Sequence, residues 1–510
     1  MRRVTAKIIA TVLAVLSLCA LLLSGCQRNP GGSGTTEQTG AMSETAENTT
    51  AITESVELPE ETVNSDSGDT FWIVMDKTVG MIPQVEKIID TFQANHPELQ
   101  LKLQVIPTYY FQSDKDKRDA VLQEIRTAMA EGNGPDVFLL PAAQKNVEPL
   151  FVDVNLTMRD GVFADISTYY DADTELGKED LVTAVMDAGM VDGARYVLPL
   201  RYDMPVLYVD TYQLDDEGCT MEMLSGTIGE LYDAVLTSDN PKLATAATVT
   251  NSAMGSFCLN FYPELIDYDT GKILLTAEDM VPLLQSIQKA RAAELFDKKV
   301  YQDPPTSEYV CGEPMVEAEY WNEAYCYYIG GMDDLLSYGI YNCSYYAPGL
   351  TMLPVSALDG NVVADVTYYG AVGADSKNPE LAYEFLRWFL SEEAQWQENE
   401  DLASSYIGWP VRAKGDVNIT AKKFITNHSN TMKDLVDLYF HNLKQSGIGE
   451  LPILDVSIDR VQFASNYECE FTEDVVDMLN GSKTGAIQDV DIIVLVQAWL
   501  DKVQQHLAKE

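Results

Sequence analysis

From residue 70 onward the chain alternates between two apolar periods. Thr70 to Met75, TFWIVM, is a continuous apolar run of strand length and predicts a buried strand. Ile82, Val85, Ile88, Ile89 and Phe92 then recur at helical spacing. Pro83 suits the first turn of that helix, and His96-Pro97 ends it. Leu99, Leu101, Leu103 and Val105 alternate with Gln100, Lys102 and Gln104, the period of a strand. Residues 117–131 read as a second helix closed by Gly132, and Val137 to Leu140 as a short apolar strand. Strand, helix, strand, helix, strand predicts an α/β fold with a largely parallel sheet.

The pattern continues with less regularity. Tyr196 to Leu200 and Val206 to Val209 read as strands around PLRYDMP, and residues 211–350 mix helices with Tyr-rich loops. The stretch 366–374, VTYYGAVGA, is strand-like. Behind Asn378-Pro379, the residues Leu381, Ala382, Phe385, Leu386 and Phe389 share one helix face. The remainder is mostly helical by pattern, and no internal repeat is visible.

The N-terminus follows a different logic. Arg2, Arg3 and Lys7 precede an almost wholly apolar run from Ile8 to Leu23, and small residues precede Cys26. This is the layout of a signal peptide over residues 1–25. The sequence LSGC, ending at Cys26, resembles the bacterial lipobox. That resemblance implies that Cys26 becomes the lipidated first residue of the mature protein, held to the membrane by several acyl chains. Residues 27–69 are rich in Ser, Thr, Gly, Glu and Asn and contain no aromatic residue. Such a segment buries too little apolar surface to offset its ordering entropy, so residues 26–69 read as the lipidated cysteine and a disordered tether.

Size and charge narrow the function. The residues beyond the tether exceed one ordinary core and suit two lobes. The formal net charge is −45, and the signal peptide would remove three of the cations. So acidic a chain argues against nucleic acid and against a polyanionic ligand. The histidines His96, His428, His441 and His506 are scattered, with no HExxH and no His/Cys cluster, so no metal site is expected. The acidic stretch 171–180, DADTELGKED, lacks the glycine and the terminal glutamate of a calcium loop and reads as a solvated loop or helix start. Beyond Cys19 and Cys26 there are cysteines at 219, 258, 311, 326, 343 and 469 without a CxxC. An exported protein could pair some of them, and buried free thiols fit equally, so no pair is assigned. No GxSxG elbow or P-loop is present; no cofactor is expected.

Several stretches carry a family likeness in order along residues 70–505. They are TFWIVM with the helix ending FQANHPELQLKLQVI, then IRTAMAEGNGPDVFLL, then DGARYVLPLRYDMPVLYVD, then AVGADSKNPELAYEFLRWFLSEEAQ, YIGWPVRAKG and FTEDVVDMLNGSKTGAIQDV. Together they resemble the extracellular solute-binding lipoproteins of ABC importers, carbohydrate-type (family 1). The resemblance implies an α/β, two-lobed periplasmic-binding-protein-like fold with a hinge and an interlobe cleft. Lobe 1 would span about 70–205 and 360–400, and lobe 2 about 206–359 and 401–505. It also implies a monomer that captures an oligosaccharide or other neutral polar solute and delivers it to ABC permease subunits. Closure in such a fold is a hinge transition that a ligand drives only by binding the closed state better.

A sugar offers hydroxyls at its edge and apolar C–H faces, so a fitting cleft needs aromatic plates, carboxylates and amides. The chain holds 27 Tyr and 6 Trp. Ligands meet α/β sheets at the carboxyl ends of strands, which selects the candidates. Asp76 follows the first strand, with a surface turn as the plainer reading. Tyr109 and Tyr110 follow the second, or pack under a loop. Tyr202 and Asp203 lie at the inter-lobe crossing, or serve the hinge alone. Tyr368 and Tyr369 precede Gly370, where the family often places an aromatic at the cleft. Trp409 and Trp321 are further candidates, against ordinary packing in a core or in an aromatic helix. Asp136, at the start of a buried strand, reads as structural.

Nothing in this set requires covalent chemistry, and the chain is not expected to be an enzyme. A surface glycoside hydrolase would need two carboxyl groups at a defined separation, which the sequence does not place. The same fold could instead serve a sensor partner or an adhesin. The anchor is testable apart from all of these: Cys26→Ser should move the protein from the membrane fraction to the medium. Retention in the membrane fraction would refute it.

Overall fold

A computed structural model describes residues 70–76, 82–108, 112–143, 147–210, 226–237, 258–292, 327–331, 350–392, 394–395, 408–412, 457–476 and 491–508. The signal peptide, Cys26, the tether, Tyr109, Tyr110 and Trp321 lie outside the described residues. So do Cys219, Cys311, Cys326 and Cys343, while Cys469 is a half-buried free thiol.

The first lobe is built on the predicted strand–helix alternation. Strand β1 (Thr70–Asp76) is followed by α1 (Ile82–Asn95), β2 (Gln100–Ile106), α2 (Gln112–Ala130) and β3 (Val137–Pro141). β1 pairs in parallel with β2 on one side and β3 on the other. Helix α2 starts earlier than its apolar pattern does. Lys115, Asp116 and Lys117 are exposed, so that turn carries no apolar signal. After α3 (Val154–Arg159), the strand β4 (Val197–Asp203) returns to the same sheet.

Two further strands complete the second sheet. β5 (Pro205–Asp210) is flanked antiparallel by β6 (Tyr327–Gly331) and β7 (Leu350–Pro354). Packed with it are α4 (Ile228–Thr237) and α5 (Ala277–Ala292). The chain then re-enters the first sheet as β8 (Val363–Val372), which inserts between β3 and β4 and pairs antiparallel with both. Helix α6 (Pro379–Arg387) follows on its Asn-Pro start. Two short strands, β9 (Trp409–Pro410) and β10 (Arg460–Phe463), lie in the stretch expected to be helical; at two and four residues they are too short to show a period. The chain closes on α7 (Asn466–Phe471) and α8 (Ile492–Leu507). The first sheet therefore has seven strands in the order β9–β4–β8–β3–β1–β2, with β10 paired to β8.

Two apolar cores result. The first packs an aromatic cluster under the sheet: Phe92 and Phe385 lie 5.4 Å apart, and Phe385 and Phe389 5.7 Å. Asp136 joins its strands, accepting bonds from Trp72 N at 2.8 Å and Ser376 Oγ at 2.6 Å. The second core centres on Phe471 and Trp499, 4.6 Å apart, whose indole donates to Tyr467 O. Among the described residues the buried core positions switch sides between Val206 and Leu207, between Val355 and Val362, and between Phe463 and Tyr467. Truncating Phe385→Ala should remove the hub of the first aromatic cluster and cost about 3–5 kcal/mol. A urea titration would show this as a lower midpoint, and an unchanged midpoint would refute it.

Candidate functional site

The carboxyl ends of β1, β2 and β3 are gathered by one side chain. Arg118 of α2 donates from Nη2 to Asp76 Oδ2 at 2.7 Å, from Nη1 to Pro107 O at 2.9 Å and from Nε to Glu148 O at 2.9 Å. Asp76 ends β1, Pro107 follows β2, and Glu148 lies in the segment after β3. Both charged side chains are buried, at 1% and 2% exposure. A planar guanidinium with five fixed donors can serve three acceptors in this way, and a lysine could not. Arg118 shares a helix face with Leu122 and Ile125, four and seven residues on, which are fully buried. That position drives it under the sheet.

The predicted site residues form a row across the same edge. Tyr368 stands opposite Pro141, the last residue of β3, on one side and opposite Arg201 on the other. Next along, Tyr202 pairs with Val366 and with Trp409, and Asp203 pairs with Asp365. The Tyr368 hydroxyl is fully buried and has no hydrogen-bond partner among the described residues. Burial holds its pKa well above the usual phenol range, and the nearby Asp76 charge adds to this. Tyr369 points into the core, its ring 6.2 Å from Phe163 and 5.9 Å from Phe463.

Trp409 is held by its neighbours. The Gln395 side chain donates to Leu200 O and Phe389 O and accepts from Val411 N at 2.9 Å. Arg201 reaches Ala394 O at 3.3 Å, and burial lowers its pKa to about 10. Gly408, at φ +97°, lets the backbone approach Tyr202; a Cβ there would lie 2.7 Å from the Tyr202 carbonyl oxygen.

A second contact joins the cores away from the sheet. Asp153 caps α3, accepting from Asn155 N and Leu156 N, and receives the Tyr268 hydroxyl at 2.8 Å. Burial raises the Asp153 carboxyl despite these bonds. Arg159 adds an ion pair to Asp269 at 3.1 Å. Tyr268 packs against the second core and Val154 belongs to the first.

The structure therefore brings Asp76, Tyr202, Asp203, Tyr368, Tyr369 and Trp409 onto one sheet, all buried. A separate groove of about 1170 Å³ runs between α1, residues 168–177 and α6, and none of these six lines it. Around the acidic stretch 171–180, Arg387 pairs with Asp173 at 3.3 Å and Glu175 at 3.1 Å, and Arg412 pairs with Asp180 at 3.4 Å. Among the described residues no group of His, Cys, Asp and Glu is arranged to hold a metal, and no helix is long and apolar enough to cross a membrane. The residues that sequence reasoning missed are Arg118, Asp153 and Tyr268. An arginine in register with a buried stripe was the available signal for the first; a contact 115 residues apart leaves none for the other two.

A sequence model described as bacterial extracellular solute-binding protein matches residues 80–396. No curated protein matches the chain. Among solved structures, an extracellular solute-binding protein family 1 from Alicyclobacillus acidocaldarius is 12% identical at a TM-score of 0.51, over 87% of this chain and 100% of that one. The sugar-binding protein MalE of Xanthomonas citri is 15% identical at 0.50, over 86% and 98%. The galacto-N-biose/lacto-N-biose I-binding protein of an ABC transporter from Bifidobacterium longum, in complex with lacto-N-biose, is 14% identical at 0.50, over 87% and 99%. At such identity the likeness is one of fold, that of two-lobed solute-binding proteins.

The Arg118 clamp makes a definite prediction. Arg118→Leu takes the paired cation from the buried Asp76 carboxylate and should cost about 3–5 kcal/mol. Adding Asp76→Asn should return part of that loss, giving non-additive denaturation midpoints. Additive midpoints would mean that the two side chains do not act as a pair.

Proposed function

The chain belongs to the bacterial extracellular solute-binding protein family, and on that premise we propose that it captures an oligosaccharide or other neutral polar solute between its two lobes and delivers it to ABC permease subunits. The capture site is the carboxyl-end edge of the seven-stranded sheet, with Asp76, Tyr202, Asp203, Tyr368, Tyr369 and Trp409 behind it. Tyr109, Tyr110 and Trp321 would add aromatic plates. Lipidation at Cys26 would keep the lobes at the outer face of the membrane, where a free binder would diffuse away. The role is binding without catalysis by a monomer that carries both lobes.

The observation that carries this reading is the Tyr368 hydroxyl, buried without a partner beside the Asp76–Arg118 pair and next to the lobe crossing. An unsatisfied buried hydroxyl is costly, and a solute hydroxyl can donate to it or accept from it. Two of the similar structures support the solute class: one is described as sugar-binding and the other holds lacto-N-biose.

The test is a thermal-shift panel on residues 67–510, which form one compact unit. It would include mono- and oligosaccharides, with amino acids and short peptides as controls. A solute at about 100 times its Kd should add about 2.7 kcal/mol of stability. Peptides shifting in place of sugars would overturn the assignment. With a solute in hand, Tyr368→Phe should weaken binding roughly 2- to 10-fold while raising the unliganded melting temperature, because the phenyl ring buries no unpaired hydroxyl. Unchanged affinity would remove Tyr368 from the site.

A further inference from the structure

Where β8 begins, two buried acids reach one short turn: Glu468 accepts from Leu259 N, and the neighbouring Asn260 faces Asp365. Asp365, 2% exposed, lies between Gln462 of β10 on one edge and Asp203 of β4 on the other. Glu468, 5% exposed, comes from α7 of the second core, and its Oε1 accepts from Leu259 N at 3.2 Å. The two acids therefore come from opposite sides of the lobe crossing. Asp365 Oδ1 is buried with no hydrogen-bond partner among the described residues.

The surrounding groups do not neutralise them. Asn260 and Gln462 face Asp365 with neutral amides and bond weakly to each other at 3.5 Å. Arg460 is the cation that faces Asp365 among the described residues. Its Nη1 pairs with Asp359 at 3.2 Å and its Nη2 with Tyr262 O at 2.6 Å, while its Nε is buried without a partner among the described residues, so it offsets the Asp365 charge only in part. Asp203 brings a further carboxyl group, whose Oδ1 accepts from Met204 N. On α7, the flanking groups are the half-buried Cys469 thiol and the Thr472 hydroxyl, which donates to Glu468 O.

Two buried carboxyl groups without a dedicated cation cannot both stay charged. We propose that Asp365 and Glu468 jointly retain a proton and that this proton locks the lobe junction, its release parting β8 from the second-core segments 258–261 and 466–471. Burial raises the Asp365 carboxyl to about 7. Burial, and then the Asp365 charge, raise Glu468 well above its ordinary value.

The direction follows from linkage. The closed junction keeps a proton that an opened, solvated Asp365 gives up near its ordinary value of 3.8. Opening therefore becomes easier as pH rises from that value to about 7, by up to about tenfold per pH unit. Glu468, raised further, extends the effect above that window. Solute would be held most firmly in mildly acidic surroundings and released more readily as they turn alkaline. That last consequence rests on the solute-binding reading; the junction itself does not.

Hydrogen exchange on the full chain in detergent micelles, without solute, tests the junction alone. Peptides covering 258–261, 363–366 and 466–471 are compared with those of Asp365→Asn at each pH, which cancels the intrinsic exchange rate. The wild-type excess should grow by about tenfold or more between about pH 5 and about pH 7. Glu468→Gln leaves Asp365 buried, so it should keep the pH dependence below about pH 7 and lose only the part above it. An excess that does not change with pH overturns the proposal. If both variants lose protection at 70–76 and 137–141, they are misfolded, and the wild-type chain decides. Its junction peptides must lose protection relative to 70–76 as pH rises, and a constant ratio overturns the proposal. A flat sugar panel with a positive exchange result would reject the solute reading and keep the junction.

Discussion

The guanidinium of Arg118 reaches three places that the sheet's own hydrogen bonds leave unconnected. A parallel ladder fixes β1 against β2 and β3, but it does not fix where the chain goes after each strand ends. Arg118 binds the last side chain of β1, the carbonyl just past β2 and a carbonyl in the segment after β3. The edge at which a solute would meet the sheet inherits its shape from that one planar group. The arrangement depends on burial on both sides. With water excluded, removing Arg118 would take away the cation that Asp76 pairs with at 2.7 Å.

The lobe crossing uses the same physics with the opposite sign. At Arg118 a buried carboxylate is compensated, and the site is rigid. At Asp365 and Glu468 two buried carboxyl groups share one turn, and the Arg460 guanidinium beside Asp365 is shared with Asp359 and Tyr262 O. The Asp153–Tyr268 bond lies between these extremes, a single hydrogen bond holding a buried acid across the two cores. A molecule that closed and reopened on a solute would benefit from this gradient. The edge proposed to meet the solute would be clamped, and the proposed joint would be held by groups whose charge can change.

Much of the fold was legible because its signals are local. The runs 70–75 and 137–140, the alternation at 99–105 and the stripe of α6 each fall within one element, and each appears where its pattern lies. β9 and β10 were not legible: a strand of two or four residues has no period, and each exists because a distant partner offers an edge. The site divides in the same way. Strand-end reasoning selected Asp76, Tyr202 and Tyr368, which do share one edge of one sheet. Strand alternation already sets Tyr368 and Tyr369 on opposite faces, but it could not show that the Tyr369 face would be filled by Phe163 and Phe463, which come from distant parts of the chain. Nor could it find Asp365 or Glu468, because an acid in a strand and an acid on a helix 103 positions later look like ordinary surface charges until the fold brings them together.

One edge of β8 is served in tandem. β3 pairs with residues 368–372 and β10 with residues 363–366, while β4 runs along the other edge. β3 and β4 are thus neighbours only through a strand that follows them by more than a hundred residues. As the chain is made from its N-terminus, both present open edges until β8 exists, and the tandem edge stays incomplete until residue 463. Such long-range pairing delays folding. For a protein of an extracellular family, this delay keeps the polypeptide threadable: the architecture cannot lock before almost the whole chain is available to cross.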